Sequence, residues 1–177
     1  SRRPLPENSS PELSPIDGNG EQFDSRASGS LQAMLDKMRE EGLSPVVCSG
    51  YRSRELQQTL FDNRVERCLD EGIAQEDAVE EASRYVAQPG TSEHELGLAA
   101  DIVSENYQLL VEEQENTAEQ QWLMEHCTEY GFILRYPKDK TDLTGVSYEP
   151  WHYRYVGKET AQEIMTQGLC LEEYLKA

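Results

Sequence analysis

The stretch T-S-E-H-E-L-G-L-A-A-D, residues 91–101, places a histidine, a glycine and an aspartate close together in the chain. The glycine and the polar residues before it are typical of a loop, whereas the apolar run over 98–103 predicts a short buried strand. Asp101 therefore falls inside that strand. A carboxylate in an apolar strand needs a partner, because burying an unpaired charge is costly, and a metal ion is one such partner.

A second stretch, E-P-W-H-Y-R-Y at 149–155, contains another histidine. Pro150 disfavours a helix here, so we expect an extended segment. Side chains alternate along a strand, which places His152 and Arg154 on one face, while the aromatic residues take the face that packs on the core. A histidine that aromatic packing holds on a strand is a rigid metal ligand, and the strand predicted over 151–156 therefore brings a second ligand to the sheet.

His94, Asp101 and His152 together form a candidate metal site. Two histidines and one carboxylate are a ligand set that catalytic zinc commonly has, with one position left for water. Zinc lowers the pKa of that water to about 7, and a further carboxylate must take its proton and pass it to the leaving amine. We expect Glu149, just upstream of the last ligand, to be this base. The remaining histidine, His126, lies on a predicted helix and is interpreted as structural.

A third stretch, S-G-Y-R-S-R-E-L-Q at 49–57, follows a predicted strand over 45–49 and opens a predicted helix over 54–70. Arg52 lies in the turn between them. A guanidinium fork suits a substrate carboxylate or a developing oxyanion, so this arginine is a candidate for binding either. The helix is expected to turn a row of apolar side chains inward, namely Leu56, Leu60, Phe61, Val65 and Leu69.

The net charge of the chain limits the kinds of molecule that it can bind. The chain has 16 basic and 34 acidic residues and a formal net charge of −18. This argues against nucleic acid and against docking on anionic lipid, both of which need basic surface. The sequence contains no apolar run long enough for a transmembrane helix. Its four cysteines form no C-x-x-C pair, which disfavours a cysteine zinc site and favours buried free thiols.

The segment over residues 1–28 is rich in Pro, Ser, Asn and Gly and is predicted to be an extended arm that lies on the domain or leads to it, with one domain over 29–177. The domain has one further predicted strand, over 131–136. It also has four further predicted helices, over 30–42, 75–87, 118–130 and 159–167. Helices and strands mix without regular βαβ alternation. The expected fold class is therefore α+β, with a small, largely antiparallel sheet flanked by helices and the zinc site on the sheet.

The three stretches together resemble the signatures of the VanY-type D-alanyl-D-alanine carboxypeptidases, zinc peptidases related to lysostaphin-type enzymes and to the hedgehog domain. The motifs occur in the order of the family, as S-G-Y-R-S (49–53), S-E-H-E-L-G-L-A-A-D (92–101) and E-P-W-H-Y-R-Y-V-G (149–157). The resemblance extends from about Ser30 to the C-terminus. It implies a zinc cofactor with the ligands and the base named above.

The resemblance also implies roles for residues around the ligands. Arg52 would stabilise the carbonyl oxyanion or grip the terminal carboxylate of the substrate, and Ser92 and Gln57 would line the substrate pocket. Leu96 departs from the family, which usually has Thr in a Gln-Thr-Gly run after the first histidine. This departure bears on substrate preference and leaves the ligands in place. The neighbouring Glu95 is expected to face solvent, with a role in supporting the ligand His94 as the alternative.

The activity that the resemblance implies is removal of a C-terminal D-alanine from peptidoglycan stem peptides, with D,D-carboxypeptidase activity favoured. L,D-carboxypeptidase, D-Ala-D-Ala dipeptidase and endopeptidase activities stay open, because the motifs do not separate them. A different class is a non-catalytic, zinc-containing cell-wall binding module. We expect a monomer in the bacterial cell envelope, at the cell surface or outside the cell, with the export or anchor segment absent from this chain. The expected partner is the peptidoglycan stem peptide.

Overall fold

The structure is a computed structural model and describes residues 4–5 and 10–176. These residues form six strands, which are Leu13–Pro15 (β1), Gln22–Asp24 (β2), Pro45–Ser49 (β3), Ala99–Ser104 (β4), Phe132–Leu134 (β5) and His152–Tyr155 (β6). They also form seven helices, which are Ser25–Glu40 (α1), Arg54–Asp70 (α2), Gln75–Ser83 (α3), Ala118–His126 (α4), Thr141–Thr144 (α5), Lys158–Thr166 (α6) and Leu171–Tyr174 (α7). Three 3₁₀ turns are Glu93–Leu96, Glu112–Asn116 and Cys127–Tyr130.

The central sheet has four antiparallel strands in the order β3, β4, β6, β5. In its register, Asp101 of β4 pairs with His152 of β6 on one side and with Ser49 of β3 on the other. β1 and β2 form a separate antiparallel pair. The predicted α+β fold with a small antiparallel sheet is confirmed, and the sheet itself brings two of the predicted ligands together.

Helix α1 supplies much of the main core. Its apolar side chains recur at helical spacing and are fully buried, namely Leu31, Met34, Leu35 and Met38. They share one cluster with Ala100 and Ile102 of β4 and with Tyr153 of β6. Because side chains alternate along a strand, Asp101 and His152 point to the opposite face of the sheet. The apolar face thus fixes the strands, and the other face carries the polar site.

Part of the segment predicted as an extended arm is folded against the domain. Its strands β1 and β2 pair, and Ile16 and Phe23 are buried in the main core. Helix α1 begins at Ser25, earlier than predicted, because Asp24 Oδ1 accepts a hydrogen bond from the backbone N–H of Arg26 at 2.9 Å. Residues 1–3 and 6–9 of the predicted arm lie outside the described residues, and the division into an arm and a domain stays a prediction.

Helices α2 and α3 form a hairpin with a small core of its own, made of Phe61, Cys68, Ala78 and Ala82. Ser53 begins α2 by accepting a hydrogen bond from the backbone N–H of Leu56 at 3.2 Å. The prediction that Leu56 and Leu69 face inward is wrong, since these side chains are 48% and 40% exposed. The short α3 covers only a narrow stripe of α2, so the remaining surface of α2 is left to solvent and to the site.

The other predicted elements are present, most of them with shifted ends. The strand over 45–49 and the helix over 54–70 have the predicted bounds, whereas α3 ends at Ser83 and the helix predicted over 118–130 continues beyond His126 as a 3₁₀ turn. All four cysteines are free, three of them are buried as predicted, and Cys48 is exposed. Within the described part of the chain, no helix combines the length and the apolar character needed to span a membrane.

Candidate active site

Three side chains of metal-ligand type meet where β4 and β6 pair. Asp101 and His152 are direct cross-strand partners. His94 comes from the 3₁₀ turn Glu93–Leu96, which precedes β4. Gly97 ends this turn with φ +68°, a left-handed conformation that residues with a Cβ rarely adopt, and so returns the chain into the strand. The turn thereby carries the loop histidine to the two residues on the sheet.

The three side chains form a compact buried set. Their donor atoms all lie within 4.8 Å of one another, and His94, Asp101 and His152 are 2%, 2% and 5% exposed. His94 Nε2 lies 3.3 Å from Asp101 Oδ2, and His152 Nδ1 lies 3.1 Å from Asp101 Oδ1. Asp101 Oδ1 is buried and makes no hydrogen bond. Two imidazole nitrogens beside a carboxylate with one orphaned oxygen are a donor set that fits Zn²⁺.

The backbone of the third stretch orients His94. Its Nδ1 lies 2.7 Å from the carbonyl oxygen of Gly50. A carbonyl oxygen only accepts hydrogen bonds, so Nδ1 carries the proton and Nε2 keeps its lone pair. Nε2 is the nitrogen that faces Asp101. Such a hydrogen bond on the far nitrogen is how metal-ligating histidines are commonly oriented.

The pKa values in the metal-free set follow from burial and from mutual charge. Burial would raise the pKa of Asp101, but the charges of His94 and Arg52 hold it well below its usual range. Burial lowers the pKa of His94. Burial would also lower the pKa of His152, but the neighbouring carboxylates of Asp101 and Glu93 raise it to about 9. A metal ion therefore has to displace a proton from His152.

Arg52 is fixed at the edge of this set by three side chains. Its Nη2 donates to Asp101 Oδ2 at 2.6 Å, its Nε donates to Ser49 Oγ at 2.7 Å, and its Nη1 donates to Gln57 Oε1 at 3.4 Å. Gln57 is fully buried, and its Nε2 also donates to the carbonyl of Ala87 at 2.8 Å. Gln57 was expected to line the substrate pocket. It lies behind Arg52 and holds the guanidinium in place.

A cavity of about 570 Å³ borders the ligand set His94, Asp101 and His152. Six of the seven predicted site residues line it, namely Arg52, Ser92, His94, Asp101, Glu149 and His152. Glu149 Oε2 lies 3.5 Å from His152 Nδ1, and the side chain of Glu149 is 9% exposed. The candidate base therefore borders both the ligand set and the open space. The volume falls within the range of about 300–1,000 Å³ that small-molecule sites have.

The outer wall of the cavity comes from the α2–α3 hairpin and from the aromatic residues near β6. Arg64 lies over the ring of Tyr85, 4.3 Å from its centroid, and both residues line the cavity. Tyr148 and Trp151 line it as well. The lining of the cavity thus combines guanidinium groups and aromatic rings with the carboxylates of Glu71 and Glu112.

Sequence reasoning missed the role of the two glutamates that flank His94. Glu95 was expected to face solvent, but it is only 6% exposed, and it accepts hydrogen bonds from Arg54 Nε and from the backbone N–H of Gly90. Glu93 Oε2 lies 3.5 Å from a nitrogen of the ligand His152. Their position beside a ligand histidine was the one available signal, and it does not say which way either side chain turns.

His126 is separate from the ligand set, in agreement with its interpretation as structural. Its Nδ1 lies 2.8 Å from Glu129 Oε1 on the following turn, and its ring packs on Trp122 with 4.8 Å between the centroids. Among the described residues, the group that could hold a metal ion consists of His94, Asp101 and His152 alone.

The order of the motifs and the geometry that they form can be compared with known families. The family model described as VanY, D-alanyl-D-alanine carboxypeptidase, matches residues 20–158. The chain belongs to the VanY family. The match spans the three stretches that carry Arg52, the ligands and Glu149, so the family resemblance seen in the sequence is confirmed.

A curated relative in this family is a D-alanyl-D-alanine carboxypeptidase of Enterococcus faecalis (strain ATCC 700802 / V583). It is 47% identical to this chain over 174 residues, which cover 98% of this chain and 63% of the relative. The chain thus spans less than two thirds of the length of that VanY-family relative.

Three solved structures are similar to nearly the whole of this chain. VanYB in complex with D-alanine-D-alanine is 47% identical, with a TM-score of 0.89, and the match covers 98% of this chain and 93% of that one. A mutant of the vancomycin-resistance D,D-pentapeptidase VanY in complex with Zn(II) is 47% identical, with a TM-score of 0.87 and coverage of 97% and 93%. The LD-carboxypeptidase LdcB is 39% identical, with a TM-score of 0.84 and coverage of 98% and 81%.

Proposed function

We propose that this VanY-family chain is a zinc-dependent D,D-carboxypeptidase that removes the C-terminal D-alanine from peptidoglycan stem peptides. The observation that carries the proposal is the buried ligand set, with Glu149 and Arg52 on the wall of the same cavity. The D-alanine-D-alanine complex of VanYB and the Zn(II) complex of VanY support it. When bound, zinc would activate a water molecule and polarise the scissile carbonyl group.

Glu149 is the residue placed to move the proton. Its carboxylate borders the ligand set, 3.5 Å from His152 Nδ1, and opens to the cavity. There it can accept a proton from the attacking water as the water oxygen bonds to the carbonyl carbon. The same carboxylate then returns the proton to the nitrogen of the departing D-alanine as the C–N bond breaks.

Arg52 and Ser92 are the candidates for binding the substrate. The anchors of Arg52 on Ser49 and Gln57 fix its guanidinium before substrate arrives, so little ordering is lost on binding. The fork can donate to the carbonyl oxygen as negative charge develops on it, or to the terminal carboxylate. Ser92 is 3% exposed and lines the cavity, where its hydroxyl group can hydrogen bond to the peptide.

Which peptide bond is cut is inferred from the relatives, because the ligand set does not distinguish the activities of the family. D,D specificity is favoured because the 47% identical relative is a D-alanyl-D-alanine carboxypeptidase and because VanYB holds D-alanine-D-alanine. The L,D alternative is kept, since LdcB has the same fold at 39% identity. Dipeptidase and endopeptidase activities remain alternatives that the ligand set does not separate.

The specificity is tested by mass spectrometry of a stem pentapeptide and a stem tetrapeptide, each incubated with the zinc-loaded protein. Loss of one alanine from the pentapeptide alone is the expected result. Loss of alanine from the tetrapeptide would replace the proposal by L,D specificity. If neither peptide is cut while zinc is bound, an endopeptidase or a non-catalytic binding module becomes the better description.

A non-catalytic zinc module of the cell wall is the alternative class. Such a module needs the ligands but neither a base nor an arginine at the reacting group. Glu149 and Arg52 are both present at the cavity, which favours an enzyme. Because stem peptides lie outside the cytoplasmic membrane, we place the protein at the bacterial cell surface or outside the cell, acting as a monomer.

A further inference from the structure

A carboxylate lies behind the ligand His152, on the side away from Asp101. Glu93 Oε2 is 3.5 Å from His152 Nε2, and the two side chains are 11% and 7% exposed. Both atoms are buried and neither makes a hydrogen bond, so the contact between them is electrostatic. The imidazole therefore lies between two carboxylates, Asp101 on Nδ1 and Glu93 on Nε2.

Two arginines hold the other oxygen of Glu93. Arg135 Nε donates to Glu93 Oε1 at 2.7 Å, and Arg154 Nη1 lies 3.0 Å from the same oxygen. The far side of the Arg135 guanidinium makes two hydrogen bonds to Glu172 of α7, at 2.9 and 2.6 Å. Both arginines thus engage Oε1, and Oε2 is left directed at the imidazole.

The charged side chains around Glu93 balance one another without a charge on His152. Glu93 and Glu172 carry two negative charges, and Arg135 and Arg154 carry two positive charges. A neutral imidazole therefore leaves no uncompensated charge in the cluster, and a neutral imidazole is the form that binds a metal ion.

We propose that Glu93 is a positioning residue for the metal centre, which rests on the proposed zinc site. The negative charge at its Oε2 favours a proton on His152 Nε2 and so selects the tautomer whose Nδ1 lone pair faces Asp101 and the metal position. Without Glu93, the proton is better placed on Nδ1, where it donates to Asp101 and competes with the metal. Carboxylates behind metal-ligating histidines commonly have this effect.

The test is zinc affinity, measured by competition with a chromophoric chelator in the absence of substrate. Glu93→Gln removes the anionic acceptor at nearly constant size, and we expect zinc to bind about 10–100-fold more weakly. Glu95→Gln is the matched control, because Glu95 is equally buried but is held by Arg54 and Gly90 rather than by a ligand. It is expected to keep zinc affinity within about threefold of the wild type, below the loss typical of a residue behind a ligand.

A second variant and a second readout separate positioning from folding. Glu93→Asp keeps the charge for the two arginines but withdraws the carboxylate from the imidazole, and it is expected to fold and to bind zinc more weakly than the wild type. In the Co²⁺-substituted protein, both Glu93 variants should shift the visible absorption bands, and the Glu95 variant should not.

Wild-type zinc affinity and wild-type Co²⁺ bands in folded Glu93→Asp would overturn the proposal, whether or not Glu93→Gln folds. Turnover is measured separately. If the wild type binds zinc but cuts no stem peptide, while the Glu93 variants still lose affinity, the carboxypeptidase proposal fails and the positioning role stands.

Discussion

Arg52 Nη2 donates a hydrogen bond of 2.6 Å to Asp101 Oδ2, so the arginine expected to face the substrate is also bonded to a predicted metal ligand. The side chains of Arg52 and Asp101 are 15% and 3% exposed, so the pair is largely shielded from solvent. One guanidinium thus helps to keep Asp101 ionised and at the same time borders the cavity. Substrate binding and the metal centre are linked through this contact.

Replacing Arg52 should impair turnover strongly. Arg52→Ala removes a donor to the developing oxyanion, and kcat/KM for a stem pentapeptide should fall by about 10²–10³. Arg52→Lys should recover little, because an ammonium group cannot make the three fixed contacts of the fork. Zinc content, measured in parallel, shows whether the ligand set is still loaded. Near-wild-type turnover in Arg52→Lys would refute a role that depends on the fork.

Gln57 should act through Arg52 and not on the substrate. Gln57→Ala leaves the buried carbonyl of Ala87 without its donor, and the free energy of unfolding should fall by about 1–3 kcal/mol. In a double-mutant cycle with Arg52→Ala, the second substitution should cause no further loss of kcat/KM. Additive losses would instead support the original prediction that Gln57 contacts the substrate.

Zinc affinity should rise with pH. In the metal-free chain His152 has a pKa of about 9, so it is protonated at neutral pH, and the metal must displace that proton. Affinity should increase about tenfold per pH unit below pH 7, and at least as steeply from pH 7 towards pH 9, where zinc-bound water ionises as well. Calorimetry at pH 6, below the pKa of about 7 that zinc-bound water has, should show release of about one proton per zinc ion in buffers of different ionisation enthalpy. A binding enthalpy that does not depend on the buffer would contradict this.

Replacing Gly97 should destabilise the protein more than replacing Gly18, which has nearly the same backbone conformation. Gly97 and Gly18 have φ values of +68° and +66°, so an alanine at either position costs about 1–2 kcal/mol in strain. At Gly97, however, a Cβ would lie 3.0 Å from the backbone nitrogen of Asp24, whereas nothing lies within 4 Å at Gly18. Gly97→Ala should therefore lose more stability in urea unfolding, and it should also weaken zinc binding by displacing His94. Equal losses for the two variants would show that the contact with Asp24 is unimportant.

Much of the fold could be predicted because its signals are local. The alternation around Pro150 placed His152 and Arg154 on one face, and the structure confirms this, since both approach Glu93. The helical spacing of the apolar residues in α1 also predicted this helix correctly. In contrast, β1 and β2 have three residues each, too few for alternation to be recognised.

The residues that support the ligands and Arg52 from behind could not be predicted, because their contacts join positions that are far apart in sequence. Glu93 meets Arg135, 42 residues away, and Glu95 meets Arg54, 41 residues away. Next to a histidine in a polar loop, each glutamate looks like surface charge. Gln57 was assigned to the pocket from the family resemblance alone, and only tertiary packing places it behind Arg52.

The most direct test of the whole account is turnover of a stem pentapeptide by zinc-loaded Glu149→Gln beside the wild type. The variant keeps the size of the side chain and all three ligands, so it should bind zinc as the wild type does. Because the amide cannot accept the proton of the attacking water, kcat should fall by about 10²–10⁴. If Glu149→Gln retains zinc and releases D-alanine at the wild-type rate, Glu149 is not the base and the proposed mechanism is wrong.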